Sequence, residues 1–333
     1  LVEVGYVYPD GRAGLQRCSL RLRAAARHAI LGANGAGKTT LLQHLNALLR
    51  PQVGQVCFQG QPIDYRRQGL QRVRQGVGLV FQNPDRQLFS ANVYEDVSFG
   101  PLNLGLDERQ VRQLVEQALS AVGMAEHVDR PVHELSFGQK KRVCIAGVLA
   151  MQPQVLLLDE PMAGLDADMQ HDLAVLLDGL IDQGVTVVLT SHDVDFAYRW
   201  ADDIHLLAAG CCIASFRATD LPQHTEALRA AAQPSPIALR LHAALAERGW
   251  LAAQTVPRSW PPCLPPALAS AIRFLPPSQS TPSYHPRSYR HRLVRGRRPR
   301  RPGTHHRQGP QAAGAGRRGA VRRLAGRPGR YPI

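Results

Sequence analysis

Apolar positions along the chain switch between two periods, and each switch marks an element. Val2-Glu3-Val4-Gly5-Tyr6-Val7-Tyr8 alternates as a strand does, and Pro9-Asp10-Gly11 closes it as a turn. A second strand is expected over 19–23 and a short buried one over 28–31. Leu41, Leu42, Leu45, Leu48 and Leu49 then recur at helical spacing until Pro51 stops the run. Further strands are expected over 55–59 and 77–81. The stretch 83–103 follows neither period: it is rich in Asn, Pro and Gly, with Leu88, Phe89, Val93, Val97 and Phe99 scattered through it. A loop of that length is usually functional, and exposed aromatics there suit docking to a partner.

The second half repeats one theme. Over 107–122, Val111, Leu114, Val115, Ala118, Leu119 and Val122 share one helical face, with Gly123 as the stop. Ser136 and Gln139 stand in capping-box relation, which predicts a helix from 139 to about 151. An apolar strand over 155–160 ends in two carboxylates, Asp159 and Glu160. A turn over 163–166, an amphipathic helix over 167–183 and a buried strand over 185–190 lead to Ser191-His192-Asp193. Strands over 204–207 and 211–216 complete the sheet. Strands alternating with helices fit an α/β fold, and an apolar strand delivering acids at its end matches the rule that open α/β sheets bind ligands beyond the carboxyl ends of their strands.

Chemistry concentrates at those ends. Gly32-Ala33-Asn34-Gly35-Ala36-Gly37-Lys38-Thr39 has the spacing of a phosphate-binding loop between a strand and a helix. Small residues let successive backbone N–H groups face phosphate oxygens, Lys38 supplies a cation, and Thr39 supplies a hydroxyl for Mg²⁺. The helix N-terminus behind the loop favours anions. A second helix start, at Ser136 and Gly138, offers another set of free donors. Asp159 can hold Mg²⁺, and Glu160 can take a proton from an attacking water. Gln82, at a strand end, can coordinate Mg²⁺ or that water through its carbonyl. His192, at a neighbouring strand end, is placed to sense a terminal phosphate. Tyr8 can stack on an adenine ring, or serve as an ordinary interfacial tyrosine.

Composition alters this picture in one respect. The chain of 333 residues carries a net charge of +14, but the charge is unevenly spread. Residues 248–333 hold 18 Arg and no Lys, Asp or Glu, which leaves 40 − 18 = 22 basic against 26 acidic residues before them. The body is mildly acidic and the tail strongly basic. The six cysteines form no C-x-x-C pair, as expected of reduced thiols in a cytosolic protein. No apolar run approaches the ~18–20 residues that cross a bilayer, and the N-terminus, beginning at Leu1, shows no charged-then-apolar segment. Work at a membrane would need other subunits to supply the span.

The motifs together resemble the ATP-binding-cassette ATPases over roughly 1–216. The phosphate loop, Gln82, Leu135-Ser136-Phe137-Gly138-Gln139, Asp159-Glu160, Asp166 and His192 occur in that family's order and spacing. The resemblance implies a P-loop NTPase core with a mixed sheet and an α-helical signature subdomain over about 84–150. It implies ATP and Mg²⁺ as cofactors. Tyr8, Gly32, Ala33, Asn34, Gly35, Ala36, Gly37, Lys38, Thr39 and Thr40 would bind the nucleotide. Ser136, Gly138, Gln139 and Asp166 would bind nucleotide as well, Asp166 as the D-loop aspartate and Ser136 and Gly138 closing over the ATP of a second copy. Glu160, His192 and Gln82 would be catalytic, and Thr39, Gln82 and Asp159 would ligate Mg²⁺. Phe137 departs from the usual Leu-Ser-Gly-Gly-Gln, and Met162 stands where Thr is common.

Within the family, Phe81-Gln82-Asn83-Pro84-Asp85, Gln87-Leu88-Phe89, Phe99-Gly100-Pro101 and Gln139-Lys140-Lys141-Arg142-Val143 resemble the energy-coupling-factor importers, most of all the cobalt/nickel ATPase subunit. This implies a homodimer at the cytoplasmic face of the cell membrane, with a transmembrane coupling protein and a membrane substrate-binding protein as partners. Another cargo, such as a vitamin, is the alternative within transport. A soluble ABC ATPase of DNA repair or translation is the alternative outside it, disfavoured by the 100 residues between Lys38 and Gly138, which leave no room for a long coiled coil. After a helical extension over 217–247, the segment 248–333 is Pro- and Arg-rich and reads as a disordered tail. Its Arg clusters suit nucleic acid or anionic lipid, and His305-His306 suit a metal. A stretch rich in Arg, Gly and Pro without one acid also has the composition of an out-of-frame reading of GC-rich coding sequence. The tail is therefore expected to be dispensable and nucleic acid is not the expected partner.

Overall fold

The computed structural model describes residues 1–248 and Arg258. Strands β1 (Val2–Val7) and β2 (Ala13–Cys18) form a hairpin closed at Tyr8, whose N–H donates to the Arg12 carbonyl at 2.8 Å. Then follow β3 (Arg27–Leu31), α1 (Lys38–Leu45) and β4 (Val53–Gln55), which returns to pair with β1. A short hairpin, β5 (Cys57–Phe58) and β6 (Gln61–Pro62), leads into α2 (Arg67–Gly76) and β7 (Val77–Val80). Three helices come next: α3 (Val93–Asn103), α4 (Glu108–Ala121) and α5 (Phe137–Leu149). The chain continues through β8 (Val155–Leu158), α6 (Ala167–Asp182), β9 (Thr186–Ser191), α7 (Val194–Trp200), β10 (Asp203–Ala208) and β11 (Cys211–Arg217). Helices α8 (Thr225–Ala230) and α9 (Ile237–Glu247) end the described chain.

The central sheet has the order β11-β10-β3-β9-β8-β7 and is parallel except for β11. Successive side chains of a strand point to opposite faces, and here both faces are covered. Leu156, Leu158, Val187 and Leu189 join the residues of α5 and α6 in one core, while Ile30, Leu157 and Val188 join Leu41 and Leu42 of α1 and Val73 of α2 in another. That explains why these strands are continuous apolar runs. Each fully buried leucine contributes about 1.5–3 kcal/mol. The parallel order brings the carboxyl ends of β3, β7, β8 and β9 to one edge of the sheet.

Several elements differ from the sequence expectations. Residues 19–23 are not a strand; the alternation that pairs with β1 lies at 13–18, and Leu20 exchanges two bonds with Leu1, its N–H donating to the Leu1 carbonyl and its carbonyl accepting from the Leu1 ammonium. The expected loop over 83–103 contains α3, capped by the Asn92 side chain, which accepts from the Glu95 N–H at 2.9 Å. Gly100-Pro101 reads locally as a loop, but Val93 and Val97 are fully buried in the core shared with α5, and that packing outweighs the local signal. Helix α1 ends at Leu45, since Asn46 caps it and Ala47 takes a left-handed backbone. Helix α5 starts at Phe137, two residues earlier than expected, with both halves of the Ser136–Gln139 capping box formed. The extension after β11 is helical as expected, a 3-10 stretch over Ala218–His224 followed by α8 and α9, which are parted where Ala232 is left-handed and Pro234 and Pro236 follow. The expected disordered, Pro- and Arg-rich tail over 249–333, Arg258 apart, lies outside the described residues.

Candidate functional site

The loop 32–37 leaves β3 and enters α1. Gly32 is there because backbone approaches it from behind: a Cβ would collide with the Leu207 carbonyl oxygen. Lys38 is 6% exposed, and its Nζ donates to the Gly32 and Ala33 carbonyls at 2.8 and 3.2 Å. The same Nζ stands 3.6 Å from Glu160 Oε1. Thr39 Oγ1 donates to Asp159 Oδ2 at 2.7 Å, and Thr190 Oγ1 donates to Asp159 Oδ1 at 2.7 Å. Thr190 also accepts from the Glu160 N–H at 2.8 Å. Strand ends of β8 and β9 are thereby tied across the site.

Glu160 is the meeting point. Gln82 Nε2 donates to its Oε2 at 3.1 Å, and His192 Nδ1 lies 3.6 Å from the same oxygen. Two strand ends and the loop lysine thus converge on one carboxylate, which is itself in left-handed backbone with φ 44°. Beside it opens a cavity of about 780 Å³, lined by Tyr8, Arg12, Ala13, Gly14, Asn34, Gly35, Gly37, Lys38, Thr39, Thr40, Gln82 and Glu160. That is within the size range of small-molecule sites. Tyr8 closes one end: its hydroxyl pairs with Thr40 Oγ1 at 2.8 Å, its ring meets Tyr6 edge-on at 5.1 Å, and the Arg12 guanidinium lies 5.5 Å over its face.

Other expected residues stand apart from that cavity. Ser136, Gly138, Gln139 and Asp166 are not among its lining residues. Gly138 borders a separate small pocket with Leu165 and Met169, Gln139 Nε2 bonds to His127 Nε2 at 3.1 Å, and Asp166 caps α6 by accepting from the Met169 N–H. Ser136 is exposed. Sequence reasoning missed Arg12, Ala13, Gly14 and Thr190. The only signal for Thr190 is a polar residue at the end of an apolar strand, and Arg12 follows a turn with nothing to mark it.

Residues 15–163 match the ABC transporter family. An energy-coupling factor transporter ATP-binding protein of Methanothermobacter thermautotrophicus is 43% identical over 71% of this chain and 76% of its own length. The structure of cbiO1 from Clostridium perfringens, part of the ABC transporter complex cbiONQ, is similar at TM-score 0.62 and 42% identity, over 69% of this chain and 92% of that one. The dimeric post-hydrolysis structure of the ATP-binding cassette MJ0796 with ADP and Pi is similar at TM-score 0.60 and 26% identity, over 66% and 97%. With a phosphate loop facing a strand-end carboxylate on this sheet, the chain belongs to the ABC transporter family, as an ATP-binding and ATP-hydrolysing subunit of the energy-coupling-factor type.

Proposed function

We propose that this chain powers the uptake of cobalt or nickel ions, as one of a pair of ATPase subunits on the cytoplasmic face of a membrane complex. The convergence of Lys38, Gln82 and His192 on Glu160 carries the catalytic part of the reading. Similarity to cbiO1, part of the ABC transporter complex cbiONQ, supports a place in such a complex, and the cargo rests on the resemblance of Phe81-Gln82-Asn83-Pro84-Asp85 and Gln139-Lys140-Lys141-Arg142-Val143 to cobalt/nickel ATPase subunits. On this reading residues 1–216 form the ATPase domain, about 84–150 its helical subdomain, 217–247 an extension, and 248–333 a dispensable tail. Phosphates lie along Gly32–Thr40 with Lys38 as counter-charge, and the adenine stacks on Tyr8 beside Arg12. Glu160 takes the proton of the attacking water, Gln82 orients that water, and His192 contacts the terminal phosphate. Ser136, Gly138, Gln139 and Asp166 close over the nucleotide of the second copy.

The donors near the phosphate loop fit Mg²⁺. Thr39 Oγ1 and Asp159 Oδ2 are hard oxygens already 2.7 Å apart, and the Gln82 carbonyl adds a third. When bound, the ion neutralises charge on the phosphates. The membrane partner docks on the aromatic patch at the start of the helical layer. Phe89 and Phe99 are 66% and 49% exposed and pack edge-to-face at 4.8 Å. That partner is the transmembrane coupling protein, which brings the substrate-binding protein with it.

One experiment tests both parts. Glu160→Gln should keep ATP binding, lower turnover by at least about a hundredfold and trap a dimer. Cells expressing the chain with its neighbouring membrane genes should accumulate Co²⁺ or Ni²⁺, and the Glu160→Gln cells should not. Turnover near wild type removes Glu160 as the base. Uptake of another cargo with intact hydrolysis redirects the transport assignment alone.

A further inference from the structure

We propose that Lys141 is a positioning residue for hydrolysis: together with Phe137 it clamps the turn that carries Glu160 to the helical layer. The proposal rests on Glu160 being the base. Lys141 lies on α5 and is 4% exposed. Its Nζ donates to the carbonyls of Pro161 at 2.7 Å and Ala163 at 2.6 Å, both in the turn directly after Glu160. The Phe137 ring covers the ammonium at 5.2 Å. The ring also lies against Gly164, where a Cβ would meet Phe137 Cε1 at 2.9 Å.

The need for such a clamp follows from the backbone. Glu160 is left-handed, a conformation that a glutamate adopts only when its surroundings impose it. From the sheet, Thr190 holds the Glu160 N–H. From the helices, Lys141 holds the two carbonyls that follow. Remove the second anchor and the Glu160 N–H keeps its bond to Thr190, but the turn that follows loses its tie to the helical layer, and the carboxylate is then held by its side-chain neighbours alone. A buried ammonium is costly without strong partners, and a core lysine with two carbonyls and one ring is a poor solution to packing alone. Helix α5 shares its core with Val93 and Val97 of α3 and Val111, Val115 and Leu119 of α4. Displacement of that layer would therefore be felt at Glu160 through Lys141.

Burial pulls the Lys141 ammonium down to about 8, against the opposing influence of Glu160 from the clamped turn and of Cys144 from α5. The clamp loses its charge in mildly alkaline solution.

The test compares Lys141→Met, Lys141→Gln and Lys141→Arg in the full chain, with Glu160→Gln alongside. Both uncharged variants should lose about tenfold or more in kcat, as misplacement of a reacting group does, with KM for ATP and nucleotide affinity within about twofold of wild type. Lys141→Arg should recover most of kcat, and the fall in rate above about pH 8 expected of wild type should be absent from it. If Lys141→Met fails to fold, Lys141→Gln, which keeps a donor, is read in its place. Wild-type kcat in the uncharged variants, with Glu160→Gln inactive, overturns the clamp. So does a nucleotide affinity that falls in proportion to kcat, which would make Lys141 a general support. An active Glu160→Gln instead overturns the reading of the site.

Discussion

Gly35 and Gly37 both hold left-handed backbone, with φ of 80° and 101°, but their surroundings differ. A Cβ on Gly37 would lie 2.6 Å from the Gly14 carbonyl oxygen, whereas nothing lies within 4 Å of one on Gly35. Gly35→Ala should cost about 1 kcal/mol, the backbone term alone, and Gly37→Ala about 2–4 kcal/mol once the clash is added. Urea unfolding of the two variants measures the difference, and equal costs would mean that β2 does not press on the loop. Lys38 needs no such contrast. Its spacing from Gly32 was legible in the chain, while its place beside Glu160, 122 residues away, depends on β3, β9 and β8 lying side by side.

Among the elements, β3 and β10 carry a buried pair that titrates. His28 and His205 stack at 5.3 Å and share a hydrogen bond at 3.1 Å; His28 also bonds to the Arg23 carbonyl, and His205 to Ser215. Burial, then the nearby His28, pulls His205 down to about 3, and burial lowers His28 as well. Both folded values lie below the unfolded value of about 6.5, so the unfolded chain takes up protons first. The stability these groups contribute is therefore complete above about pH 6.5 and is lost as pH falls toward 3. Asp203 adds to the same acid loss. Burial works against its charge, but Arg23, His28 and Arg217 together hold it below the usual carboxylate range. His205→Gln should make the fall of unfolding free energy between pH 6 and 4 shallower by about one proton, or about 1.4 kcal/mol per pH unit. An unchanged slope would show that His205 is not the group responsible. Helix α3 is the converse case among elements. Its Gly-Pro pair and scattered apolar residues look like loop until α5 supplies the surface they bury.

Among the described residues, two surfaces bear on the proposed assembly. The Ser136–Gly138 helix start stands apart from the cavity of its own phosphate loop, as expected if each cavity is completed by the other copy. The Phe89–Phe99 pair leaves large apolar area in water. Phe89→Glu should change unfolding free energy by less than about 0.5 kcal/mol, as exposed substitutions do. It should weaken recovery with the membrane fraction by ~2 kcal/mol or more, the scale of an aromatic anchor. Co-sedimentation with membranes carrying the partner genes checks this, and unchanged recovery would move the docking surface elsewhere.

Local order in the chain determined a good deal by itself. The loop Gly32–Thr39 owes its identity to the steric freedom of glycine, the capping boxes of α4 and α5 to side chains three residues apart, and the buried strands to unbroken apolar runs. Tertiary structure decided what depends on distant partners: that α3 is a helix, that the strand after the first turn is at 13–18, that Arg12 and Thr190 belong to the site, and that Lys141 reaches the turn after Glu160. Except in the hairpin of β1 and β2, the deciding energy comes from contacts between residues far apart in sequence, which no local period encodes.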